Sequence, residues 1–163
     1  MQATDIRGVQ TPPAPTLPTA LLVEDEALVA VLAEEDLRDL GFEPIWVTSA
    51  AAALARLAEG PALALAVIDV GLPDRRGDDL AQAIRRDHPD LGIIVATGHE
   101  TGALTARFRD DRRTVILGKP YLAADLARCA RAVISGEHRT ADPFRSEIIP
   151  NREENQARPW RVT

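Results

Sequence analysis

A small set of residues in this chain could handle a phosphoryl group or a metal ion. Glu24-Asp25-Glu26 puts three carboxylates in a row, and Asp69 directly follows the apolar pair Val67-Ile68. Thr97 ends another apolar run, and Lys119 stands in Gly118-Lys119-Pro120. Crowded carboxylates repel one another, and a hard divalent cation relieves that cost. Mg²⁺ binds through one or two carboxylates, keeps several waters and often uses substrate phosphates for the remainder. A carboxylate is also a nucleophile toward phosphorus, giving an aspartyl-phosphate. Such a transfer needs alignment and charge stabilisation, which a metal and a fixed ammonium supply. A threonine hydroxyl can then hydrogen-bond the new phosphoryl oxygens. Lys119 is the one lysine beside 18 arginines. A compact point charge does a job here that a planar guanidinium fork would do badly.

The elements that must position these groups show in the apolar pattern. Thr19 to Val23, Pro44 to Val47, Ala62 to Ile68, Ile93 to Ala96 and Thr114 to Leu117 are short continuous runs. Runs of this kind suit strands buried on both faces of a parallel sheet. Helical spacing lies between them. Val29, Ala33, Leu37 and Leu40 step by three or four, with Gly41 as a stop. Ala50 to Ala58 ends at Gly60-Pro61, and Leu80, Ala83 and Ile84 follow Asp78 and Asp79, acids that suit a helix N-terminus. A short helix is expected around Ala103 to Phe108. Leu122, Leu126, Ala130 and Val133 form a last amphipathic stripe closed by Gly136. Strand–helix repeated five times implies an α/β fold, a five-stranded parallel sheet with helices on both faces. In such sheets the site lies outside the carboxyl ends of the strands, where Glu24, Asp25, Asp69, Thr97 and Lys119 all fall.

Composition narrows the classes. The 163 residues are 45% hydrophobic, enough for one core, with 19 Lys+Arg against 25 Asp+Glu for a net charge of −6. An acidic chain without a basic run is a poor candidate for neutralising nucleic-acid phosphates. The single cysteine, Cys129, excludes an internal disulfide framework and a four-cysteine zinc site. No uncharged run supplies the roughly 20 apolar residues that cross a bilayer, and residues 1–18 lack the pattern of a secretory signal. These features predict a cytoplasmic protein without nucleic-acid or membrane partners. Residues 1–18 carry Pro12, Pro13, Pro15 and Pro18 and read as a disordered leader. Residues 137–163 read as a mostly disordered tail too short for an output domain, leaving residues 19–136 as the folded unit.

Residues 19–136 resemble the receiver domain of bacterial response regulators. The resemblance rests on Leu22-Val23-Glu24-Asp25-Glu26, Ile68-Asp69-Val70-Gly71-Leu72-Pro73 with Gly77, Ala96-Thr97-Gly98 and Gly118-Lys119-Pro120-Tyr121. It implies a flavodoxin-like doubly wound (βα)5 fold with strand order 2-1-3-4-5. It further implies Asp69 as phosphoacceptor and Asp25 as a direct Mg²⁺ ligand. Glu24 would be a ligand through water, and the Gly71 carbonyl would complete the protein's share. Thr97 would be the switch hydroxyl, Lys119 the phosphoryl contact and Pro120 a cis-proline. His99, two residues past Thr97, is placed to tune hydrolysis. Ile116 stands where receivers usually carry a switch aromatic. The Ala96-Thr97-Gly98 strand end resembles that of alphaproteobacterial single-domain receivers of the Phe-Ala-Thr-Gly type, with Val95 in place of the phenylalanine. That group pairs with histidine kinases of the HWE/HisKA2 type.

The expectation is therefore a single-domain response regulator of a two-component or phosphorelay system, not an enzyme. It would be phosphorylated by a histidine kinase or phosphotransfer protein and signal by protein–protein interaction, with phosphorylation-dependent dimerisation open. The rivals are a phosphorelay shuttle or phosphate sink, a phosphorylation-independent binding module, and an aspartate-nucleophile phosphohydrolase. The last needs an acid two residues after the nucleophile, where this chain has Gly71. Blander roles are expected elsewhere. Arg107, Arg109, Arg112 and Arg113 read as a solvated helix face near an output surface, His88 and His138 as exposed, and Cys129 as a packing residue. Trp46 would cover the sheet edge, and Trp160 would be a candidate docking anchor.

Overall fold

The five apolar runs become five strands that pair only in parallel, because every return of the chain is a helix. The computed structural model describes residues 16–60, 62–98 and 101–136. The elements run β1 (Thr19–Val23), α1 (Ala27–Asp39), β2 (Glu43–Val47), α2 (Ala50–Ala58) and β3 (Leu63–Asp69). They continue α3 (Gly77–Asp87), β4 (Gly92–Thr97), α4 (Thr101–Phe108), β5 (Thr114–Gly118) and α5 (Ala123–Ser135). Spatial order is β2-β1-β3-β4-β5, as the resemblance implied, with parallel pairing throughout. Residues 1–15 of the expected 1–18 leader, and the tail, residues 137–163 with His138 and Trp160, lie outside the described residues, as does His99.

Alternation along the strands splits the core into two layers. Leu21, Val23, Ala66, Ile68, Ile93, Val95 and Ile116 pack against α2, α3 and α4 on one face. Ala20, Leu22, Leu65, Val67, Ile94, Val115 and Leu117 pack against α1 and α5 on the other. Ile116, expected as a replacement for an aromatic switch, is thus a core residue shared with Leu104 and Phe108 of α4. Among the described residues no helix is long and apolar enough to cross a membrane.

Local signals set the helix ends. Gly41 adopts φ +84° beyond α1, its N–H donating to the Arg38 carbonyl (2.9 Å) while Phe42 N–H reaches back to Leu37 (3.0 Å). This is the paired-bond C-terminal cap that glycine permits at lowest cost. At the start of α2, Ser49 Oγ accepts from Ala52 N–H (3.2 Å). Asp74, far along the chain, accepts from the N–H groups of Ala50 (2.9 Å) and Ala51 (2.8 Å). Those two backbone donors hold the Asp74 carboxyl below its ordinary range.

Several readings of the sequence are corrected. The buried stripe of α1 is Ala30, Ala33 and Leu37; Val29 and Leu40 are only half-buried. Ala30, Ala33 and Leu37 are the α1 residues that enter the second core layer. Leu28, Val31 and Leu32 are left exposed. Leu122 is the N-cap residue of α5 in extended conformation and 73% exposed, so it leaves the stripe that Leu126, Ala130 and Val133 do form. His88 is half-buried rather than exposed, because it closes α3: its N–H donates to the Ile84 carbonyl (2.8 Å) and its own carbonyl accepts from Arg85 (3.0 Å). Arg107 stays exposed, as expected, but it is also paired. It crosses from α4 to α3 and donates to the buried carboxylate of Asp78, to Asp79 (2.6 Å) and to Gln82 (2.6 Å). Arg113 donates to the Ile134 carbonyl (3.1 Å), while Arg109 and Arg112 remain exposed.

Cys129 packs on α5 in the second layer, and burial pushes its thiol up to about 11. A thiolate is the reactive form. The native chain is expected to resist a disulfide reagent such as dithionitrobenzoate at pH 8 and to react with one equivalent after denaturation. Rapid native reaction would show that α5 opens.

Candidate functional site

Sheet register brings the chemical groups together. Val23 pairs with Ile68, Ile68 with Val95, Asp69 with Ala96 and Thr97 with Gly118. The carboxyl ends of β1, β3, β4 and β5 are therefore level, and the residue at or after each end faces one edge. Bonds past the strand ends extend the alignment. Val70 N–H donates to the Ala96 carbonyl (3.0 Å), Lys119 N–H to Thr97 (2.7 Å) and Glu24 N–H to Val47 (3.0 Å). The resulting cleft, about 510 Å³, is lined by Asp25, Glu26, Asp69, Val70, Gly71, Arg76, Thr97, Gly98 and Lys119.

The Lys119 ammonium bridges two carboxylates, 2.6 Å from Glu24 Oε2 and 2.7 Å from Asp69 Oδ1. Each acid also has a second, backbone donor. Gly71 N–H donates to Asp69 Oδ2 (2.7 Å), and Glu26 N–H to Glu24 Oε1 (3.2 Å). The Glu24 carbonyl accepts from the Trp46 indole (2.7 Å), so Trp46 on the edge strand β2 also braces the acidic segment. Burial pushes the Glu24 carboxyl above its ordinary value, more than the neighbouring ammonium pulls it down. Burial alone would lower Lys119, but its bonds to Asp69 and Glu24 outweigh that and raise it. Lys119 is thus firmly cationic at neutral pH. The peptide between Lys119 and Pro120 is cis.

Glu24, Asp25 and Asp69 each offer a carboxylate oxygen within 4.8 Å of the others. An all-oxygen, acid-rich donor set of this spacing fits a hard divalent cation such as Mg²⁺. Asp25 is exposed, Glu24 and Thr97 are buried, and Gly71 is exposed at the cleft rim. A side chain at 71 would begin 3.0 Å from Asp69 Oδ2.

Some of the site's supports were not read from the sequence. Gly77 was noted as part of a motif, but its reason is geometric: a Cβ there would lie 1.9 Å from the Asp69 carbonyl oxygen. Its N–H donates to the Val70 carbonyl (3.0 Å), locking the start of α3 onto the end of β3. Asp74 ties the intervening loop to α2. Arg76, on the cleft, was missed because an arginine in a loop carries no periodic or motif signal.

Comparison with known proteins agrees with this arrangement. A family model, the response regulator receiver domain, matches residues 20–131. The chain is 28% identical over 134 residues to the sensor kinase CckA of Brucella abortus, covering 82% of this chain but 13% of that protein. It is 30% identical over 106 residues to the response regulator receiver protein CpdR of the same species, covering 65% of this chain and 88% of that one. The crystal structure of a response regulator receiver protein from Sinorhizobium medicae superposes with TM-score 0.65 at 26% identity, covering 75% of this chain and 98% of that one. The chain belongs to the response regulator receiver family. Members of that family bind Mg²⁺ at an acidic pocket and exchange phosphoryl groups with histidine kinases or phosphotransfer proteins.

Gly77→Ala is expected to lower stability by about 1–3 kcal/mol through overpacking and to displace the Asp69 backbone. Thermal unfolding gives the first effect, and loss of Mg²⁺-dependent fluorescence change at Trp46 gives the second. A variant with unchanged unfolding would show that α3 can shift freely.

Proposed function

We propose that this chain acts as a response regulator receiver in the cytoplasm, phosphorylated on Asp69 and signalling through protein contacts. The observation that carries the reading is the convergence of Asp69, Glu24, Asp25, Thr97 and Lys119 on one edge of the sheet, with Lys119 bonded to Asp69 at 2.7 Å. In the reaction, an Asp69 carboxylate oxygen attacks the phosphorus of a phosphohistidine. The new P–O bond forms as the P–N bond breaks, and the imidazole nitrogen keeps the bonding pair. Asp25 and Asp69, Glu24 through water and the Gly71 carbonyl would hold Mg²⁺, which supplies neutralising charge for the phosphoryl oxygens. Lys119 turns its ammonium from the free carboxylate to a phosphoryl oxygen, keeping its bond to Glu24. The Thr97 hydroxyl donates to another oxygen, drawing the β4–α4 connection with it. Ile116 lacks an aromatic ring to swing, so the shift passes to α4 through its packing with Leu104 and Phe108. A few kcal/mol of differential interaction suffices for such a population shift.

The hydrolase reading loses its acid at Gly71, whose N–H occupies Asp69 Oδ2 instead. A partner that presents phosphohistidine must approach the cleft rim, and α1 begins there. Leu28, Val31 and Leu32 share one face of that helix and are 85%, 47% and 64% exposed. We assign this face to the phosphodonor, a histidine kinase, of the HWE/HisKA2 type by the Ala96-Thr97-Gly98 strand end, or a phosphotransfer protein.

Incubation with acetyl phosphate is expected to add one phosphoryl group by intact mass, dependent on Mg²⁺ and absent in Asp69→Asn. An adduct that survives Asp69→Asn would overturn the assignment. Leu28→Glu combined with Leu32→Glu is expected to slow transfer from a phosphorylated cognate kinase at least tenfold, while labelling by acetyl phosphate is unchanged. Equal losses with both donors would remove α1 from the docking face.

A further inference from the structure

The loop between β3 and α3 carries a cation that the reaction above does not use. Arg76 lines the cleft together with Asp69, Gly71, Thr97 and Lys119. Its backbone has little freedom. The next residue, Gly77, lies against the Asp69 carbonyl and donates to Val70, and Asp74 two residues earlier is bonded to the N-terminus of α2. Its side chain is oriented from behind. Arg76 Nε donates to Oδ1 of Asp78 at 3.0 Å, and Asp78 is buried. The other oxygen of that carboxylate receives Arg107 from α4. Among the described residues the bond to Asp78 is the only one the Arg76 guanidinium makes, and the side chain is otherwise 56% exposed, so its two terminal nitrogens are free to turn toward the cleft that Arg76 lines.

We propose that Arg76 is a second cationic contact for the phosphoryl group on Asp69, positioned by Asp78. The proposal rests on Asp69 being the phosphoacceptor. A phosphoryl group brings a charge of about −2 to a rim where Glu24, Asp25, Glu26 and Asp69 already outnumber Lys119 and Arg76. A guanidinium can keep Nε on one carboxylate and turn both terminal N–H pairs to two phosphoryl oxygens, which an ammonium cannot. With acetyl phosphate as donor, the Asp69–phosphorus bond forms as the bond from phosphorus to the acetate oxygen breaks, and acetate leaves with the electron pair. No proton moves, so contact with the phosphoryl oxygens is the whole of the arginine's part. Because Asp78 also holds Arg107, the same contact ties phosphoryl occupancy to α4.

The test uses the full chain as wild type, Arg76→Gln, Arg76→Lys and Arg75→Gln. Arg75 is exposed like Arg76 but does not line the cleft, so its variant measures general charge steering. Rates of labelling by acetyl phosphate with Mg²⁺ are read by intact mass, affinity for beryllofluoride by fluorescence, and folding by thermal unfolding. Loss of one charge-assisted contact is expected to cut the labelling rate and beryllofluoride affinity of Arg76→Gln about tenfold. Arg76→Lys should recover part of that loss, and Arg75→Gln should stay near wild type, all with unchanged unfolding midpoints. Matching behaviour of Arg76→Gln and Arg75→Gln, with wild type labelled on Asp69, overturns the contact and leaves the phosphoacceptor standing. A wild type that takes no label on Asp69 removes both.

Discussion

The arrangement at the strand ends depends on one electrostatic problem: Glu24 and Asp69 point carboxylates at the same few ångströms. At a separation of 4.8 Å or less, two such charges near a protein surface repel by about 3 kcal/mol. Glu24 is also buried, which raises its cost as an anion. The Lys119 ammonium, bonded to both, makes the arrangement tolerable without a metal. It reaches them only because β5 ends level with β4, one strand away from β3. A single cation thus couples the most distant of the contributing strands to the other end of the sequence, 95 residues away.

The remaining supports work by restricting backbone. Gly77 lets α3 begin in contact with the Asp69 carbonyl, Asp74 fastens the same loop to α2, and the Trp46 indole steadies Glu24 from the edge strand. Asp69 is consequently held through its main chain by neighbours on both sides, while its two carboxylate oxygens meet one ammonium and one amide. Both partners can be exchanged without moving the strand. The proposed phosphoacceptor role needs this combination of a rigid frame and replaceable ligands.

The helices facing outward divide between two jobs. On the α2, α3 and α4 side, Arg107 and Asp78 join α4 to α3, and Leu104, Phe108 and Ile116 join α4 to the sheet. That side is the one through which the proposed shift at Thr97 would reach α4. On the α1 and α5 side, α1 keeps Leu28, Val31 and Leu32 in solvent. Apolar side chains clustered in this way beside a cleft suit a partner surface rather than a free one.

The order and type of elements, and the residues at the strand ends, were legible from the chain alone. Short apolar runs suit the strands of a parallel sheet, though the run Pro44 to Val47 proves to be a half-exposed edge strand; Gly41 and Gly136 mark helix ends, and Asp69, Thr97 and Lys119 stand where each run stops. The rest was decided by packing. The face of α1 that is buried carries Ala30, Ala33 and Leu37, while the larger Leu28, Val31 and Leu32 stay exposed, which apolar spacing does not encode. The pairing of Arg107 and Arg113 was hidden because their acceptors, Asp78 and the α5 carbonyls, are distant in sequence. Arg76 carries no periodic or motif signal: what makes it notable is its bond to Asp78 and its place on the same cleft as Asp69, and that cleft exists only once the strand ends are level. Periodicity reports a residue's relation to its own element. Contacts between elements, where charge pairs and close approaches arise, exist only once the chain has folded.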